Sequence, residues 1–166
     1  MKKKFKTLII FLISILIFIS CTNTSKLETD DYYINLTNIK PKFVTADSSI
    51  FTLTKNNQNY KIIVLKRNKF IYNGDMTDNC VADQLSVFMK KGKTKNIILK
   101  REKINGVPCV IVSGTNYEAE NNIYWTFAIF QTKYYFYILR ISSQQAKGSF
   151  NENYHQKIIT SFVIKK

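Results

Sequence analysis

Apolar and polar positions change rhythm several times along this chain. From Leu8 to Ile19 they are apolar almost without a break, interrupted only by Ser14. From Thr22 to Asp31 polar residues dominate. Beyond Tyr32 apolar positions recur at the periods of strands and helices. Ile50–Thr54 and Tyr60–Lys66 read as strands joined by the polar run Lys55–Asn59, which predicts a hairpin. Thr77–Lys91 predicts a helix, with Val81, Leu85, Phe88 and Met89 on one stripe and Gly92 just past a basic end.

The next pattern is strand-like. Asn96–Ile104, Val107–Tyr117, Ile123–Gln131 and Tyr134–Ser142 are dense in aromatic and β-branched residues, which fit a pleated surface. Asn105-Gly106 between the first two suits a two-residue turn whose central positions both need positive φ. Ile123, Trp125, Phe127 and Ile129 alternate with Tyr124, Thr126, Ala128 and Phe130. Both faces are apolar, which predicts a helix over one and the N-terminal segment over part of the other. Ser149–Phe162 predicts a closing helix, opened by a Ser149-x-x-Glu152 capping box and striped by Phe150, Tyr154, Ile158 and Phe162. Val163 and Ile164 add a last short strand or pack the end down. The order predicts an α+β fold, an antiparallel β-sheet of about five to seven strands with two helices packed on it.

The first apolar run has a different meaning. Lys2, Lys3, Lys4 and Lys6 precede it, and its twelve residues are too few to span a bilayer, which takes roughly 17–25. A basic head, an apolar centre and a small residue before the cut make a secretion signal. Ile17-Phe18-Ile19-Ser20-Cys21 resembles a bacterial lipobox of the relaxed spirochaete type, with Phe18 where Leu is usual. That resemblance implies a diacylated Cys21 as the first mature residue. The expected organisation is therefore 1–20 signal peptide, 21–41 lipidated cysteine and tether, and 42–166 folded domain. It places the protein in the cell envelope, at the outer membrane or cell surface rather than the inner membrane. Acyl chains, two or more, hold a protein to a leaflet stably where one does not.

Composition adds a basic balance. Lys and Arg total 25 against 11 acids; four lysines leave with the signal, so the mature chain keeps 21 and a formal charge of +10. Lys90, Lys91, Lys93, Lys95, Lys100, Arg101 and Lys103 form the densest run and a candidate anion-binding patch. Outside the cytosol its partner would be a sulfated glycan or an acidic lipid headgroup, not nucleic acid. The plainer reading is a solvated face in a Lys- and Asn-rich chain. Cys80 and Cys109 are left as an even pair, either a disulfide or two buried thiols. A bridge closing about thirty residues would stabilise by roughly 3–4 kcal/mol.

The chemistry of catalysis and metals is sparse. His155 is the single histidine, reads as solvated on the closing helix, and has no serine, cysteine or carboxylate set placed with it. Asp75, Asp78 and Asp83 lack the alternating spacing and closing glutamate of a calcium loop, and serve as caps and solubilising groups. With five glycines in all, no phosphate-cradling loop stands out. No cofactor, metal or enzymatic activity is expected.

The order of elements, with Ile104-Asn105-Gly106-Val107-Pro108, the aromatic strand Tyr134–Ile141 and the closing Ile158-Ile159-Thr160-Ser161-Phe162, resembles the PsbP-like superfamily over residues 42–164. A cystatin-like or other helix-on-sheet fold is the competing reading. The PsbP-like resemblance implies no catalytic residues and a binding or accessory module. The expected function is that of a membrane-anchored envelope lipoprotein whose non-catalytic domain meets another envelope component. The alternative is a surface adhesin holding anionic glycans through the basic run.

Overall fold

A computed structural model describes residues 26–37, 39–41, 43–47, 49–55, 58–72, 76–89, 93–117, 122–145 and 152–165. The expected signal peptide, Cys21, Lys90, Lys91, Asp75 and the Ser149–Asn151 part of the expected capping box lie outside them.

Seven strands form one antiparallel sheet: β3 (Phe43–Asp47), β4 (Ile50–Lys55), β5 (Gln58–Asn68), β6 (Thr94–Ile104), β7 (Val107–Asn116), β8 (Asn122–Gln131) and β9 (Tyr135–Gln145). Their order is β3-β4-β5-β9-β8-β7-β6, so β6 is an edge. Asn105 and Gly106 have φ of 50° and 80°, the paired left-handed geometry expected for the β6–β7 turn. The α+β class, mostly antiparallel sheet with two helices, and the β4–β5 and β6–β9 strand order agree with the sequence reading; the β-structure is larger than expected, with ten described strands in two sheets.

The alternation on β8 separates two cores. Trp125, Phe127 and Ile129 face helix α1 (Met76–Phe88) and pack with Cys80, Val81, Val110, Val112, Phe136 and Ile138. Phe88 stacks on Trp125 at 5.0 Å between ring centroids. Gly114 lies under that indole, where any Cβ would overlap it. Arg101 meets Asp78 at 2.5 Å, Arg140 donates to the buried Gln84 amide oxygen at 2.8 Å, and Asn116 Nδ2 donates to Phe88 O at 2.9 Å, so α1 is tied to the sheet at its start, its middle and its end. The helix stripe differs from the expected one. Cys80 and Gln84 are buried, while Met89, just past the helix, is half exposed.

The opposite face carries helix α2 (Glu152–Thr160), whose Tyr154, Ile158 and Ile159 pack on Tyr60, Ile62, Ala128, Phe130 and Leu139. A second sheet of three strands, absent from the expectation, lies on this face. It consists of β1 (Lys26–Glu28), β2 (Tyr32–Asn35) and β10 (Phe162–Ile164), in the order β1-β2-β10. Two expectations are corrected here. Residues 26–41 are not all tether: Leu27, Tyr32, Ile34, Leu36 and Ile39 are buried, so the folded body starts at least as early as Lys26 rather than at 42. The closing helix stops at Thr160, because Phe162 pairs with Ile34 in β10. Asn105 secures that change of direction, its amide donating to the carbonyl oxygens of Thr160 at 3.2 Å and Phe162 at 2.9 Å.

Candidate functional site

Among the described residues, His155 is a titratable side chain shut almost completely away from water. The wide apolar face of α2 carries it inward, and it is 1% exposed where solvation was expected. Its Nε2 lies 3.1 Å from Ser143 Oγ on β9, and its Nδ1 3.0 Å from Thr126 Oγ1 on β8. Tyr60 meets the ring edge-on at 5.8 Å and Tyr124 lies tilted at 4.7 Å. Desolvation pulls its pKa down to about 3, so the ring is neutral at physiological pH. Ser143 and Thr126 are themselves buried. The arrangement has the parts of a nucleophile and base, but both ring nitrogens are occupied by hydroxyls. No described carboxylate bonds to either nitrogen. It is a satisfied polar knot that fixes α2 to the sheet.

Beside the knot is a crevice lined by Ile98, Lys100, Ser113, Tyr124, Thr126 and Gln156, among others, with a volume of about 20 Å³. That is room for roughly one water. The signal for a buried histidine was available in the pairs Tyr154-His155 and Ile158-Ile159. Their i, i+1, i+4, i+5 spacing marks a wider buried stripe than Tyr154 and Ile158 alone.

The described part of the basic run does not form one patch. Successive side chains of β6 alternate across the sheet. Arg101 pairs with Asp78 on the α1 side, and Lys103 follows it there. Lys100 lines the crevice on the α2 side, and Lys95 sits over the Tyr117 ring at 5.6 Å. Lys93 precedes the strand and is exposed. The bulge between Lys95 and Ile98, with Asn96 at φ 56°, breaks the row further.

The candidate disulfide is also corrected. Cys80 and Cys109 are free thiols, buried in the two cores on opposite faces of the sheet, and the sheet itself separates them. Burial pushes both thiols up, Cys109 to about 12. Among the described residues no group of three or more His, Cys, Asp and Glu could hold a metal ion, and no helix is long and apolar enough to cross a membrane.

No family model matches the chain, and no curated protein matches it. Among solved structures it is similar to a crystal structure from Bacteroides thetaiotaomicron VPI-5482, with 14% identity and a TM-score of 0.49. The similarity covers 81% of this chain and 45% of that one, so the chain spans less than half the length of that protein.

Proposed function

We propose that this is a lipoprotein of the bacterial cell envelope, held to a membrane by acyl chains on Cys21, with a non-catalytic binding or accessory domain. The observation that carries the reading is the basic, apolar, small-residue leader ending at Ser20-Cys21. The position of the folded body supports it. From Cys21 to Lys26 is five residues, which reach at most about 17 Å. Lipid at Cys21 therefore holds the domain against the bilayer. The accessory role is supported by the PsbP-like resemblance and by a histidine closed into a knot of hydroxyls. The adhesin alternative has less to stand on, because the described basic residues divide between two faces and Arg101 is already paired.

The test is metabolic labelling with palmitate of the wild type and Cys21→Ala, with protease treatment of intact cells. Label on the wild type alone is the expected result. An unlabelled wild type, or equal label on both, overturns the anchor. Protease sensitivity then assigns the outer surface, and protection the periplasmic side.

A further inference from the structure

The described residue with the most exposed large apolar side chain is Phe70, at 68%, followed by Ile71 at 60%. They sit in the short 3-10 turn Lys69–Ile71 after β5. Tyr134 and Tyr135, at the β8–β9 turn, are 50% and 37% exposed. The two turns make one surface, because the Lys69 backbone N–H donates to Tyr134 O at 3.0 Å and Lys69 Nζ to Thr132 O at 3.3 Å. Cations are interleaved with the rings. Lys66 lies over Tyr135 at 4.6 Å and Lys133 over Tyr134 at 5.0 Å, with Arg67 exposed nearby. Asp31 is engaged by Lys66 at 2.6 Å.

The first described residue, Lys26, taken here as the entry point, lies at this same end of the main sheet. Lys26 pairs with Asn35, whose N–H donates to Ser161 O at 2.9 Å, next to the carbonyls that Asn105 holds. Asn105-Gly106 opens β7, and Cys109 of β7 pairs with Phe130 of β8, just before the Thr132–Tyr134 turn. The entry point, the β6–β7 turn and the aromatic tip therefore share one end. Tyr117, following β7, marks the other.

We propose that this tip is the membrane-contacting end of the domain, and that it sits in the headgroup layer of an anionic bilayer. Phe70 and Ile71 enter the acyl boundary, Tyr134 and Tyr135 lie at headgroup level, and Lys69, Lys133 and Arg67 meet lipid phosphates. This is the division of labour of aromatic and cationic side chains at membrane interfaces. The inference rests on the lipid anchor: acyl chains at Cys21, within about 17 Å of Lys26, bring this end rather than the Tyr117 end to the surface.

The experiment uses the full lipidated chain in phosphatidylcholine–phosphatidylglycerol vesicles whose acyl chains carry bromine near the headgroup. Phe70→Trp is compared with Tyr117→Trp, both at exposed positions, over the wild-type background of Trp125, which is 0% exposed. The emission added by Phe70→Trp is expected to fall roughly twofold, as for a side chain buried in the headgroup–acyl boundary, while that of Tyr117→Trp stays unchanged. Flotation of the same samples separates the two readings. Protein that floats with Phe70→Trp unquenched overturns the tip, leaves the anchor standing and makes the surface one for a protein partner. Equal quenching at both positions also overturns it. Protein that does not float loses the anchor, and the tip with it.

Discussion

His155 is neutral because its ring is shut away from water, and that has a measurable sign. The unfolded chain takes up a proton near the ordinary histidine value of 6.5, the folded chain at about 3. Between those values the unfolded state binds more protons, so stability is complete above pH 6.5 and is lost on acidification. The slope is up to about 1.4 kcal/mol per pH unit. Urea unfolding from pH 7.5 to 5 is expected to show that slope in the wild type. In His155→Gln the slope should be nearly absent, with roughly 1–3 kcal/mol lost at neutral pH to imperfectly paired hydroxyls. The thiols give a second check. Cys80 and Cys109 should resist Ellman's reagent in the native protein and both react in denaturant; a native mass consistent with a bridge would contradict this. The sequence showed the residue types but not their surroundings. A lone histidine beside a tyrosine reads as solvated when one narrow stripe is counted, and two cysteines in sequence carry no record of which side of a sheet each occupies.

Elements were more legible than residues. Alternation on β8 and β9 and the Asn105-Gly106 pair placed four strands to within a residue or two at most of their ends, because a half-turn period and a positive-φ turn are local properties. The two-sided apolar pattern of β8 also anticipated cover on both faces. Of the second sheet only the last strand was anticipated, as one of two readings of Val163 and Ile164. β1 and β10 have three residues each, and β10 exists only because β2 pairs with it. No local pattern distinguishes Phe162 ending a helix from Phe162 starting a strand. Asn105 holds that junction with two hydrogen bonds and a left-handed φ of 50°. Asn105→Ala is therefore expected to cost about 1–3 kcal/mol in chemical unfolding, by lost bonds and backbone strain together. Loss confined to the β6–β7 turn itself would show as a change below about 1 kcal/mol.

At the scale of the whole molecule, the expected domain boundary at residue 42 fails a physical test. Trimming to that point would strip Tyr32, Ile34, Leu36 and Ile39 from the α2-side core and leave Phe162 uncovered. A chain beginning at residue 42 is expected to lack a cooperative thermal transition and to be digested rapidly by protease, whereas one beginning at residue 22 should keep both properties. Similar stability of the two would show that the three-stranded sheet is an ornament on an independent seven-stranded body.

The pairing of Ile34 with Phe162 joins nearly the first described residues to nearly the last. A nascent polypeptide emerges from its N-terminus first, so this clasp cannot close before residues 162–164 have been made, about 130 positions after its other half. For an exported protein that delay is an advantage. Were this chain exported, as proposed above, a translocation channel would engage its leading segment while the body is still an open thread, and the final tertiary lock would close beyond the membrane.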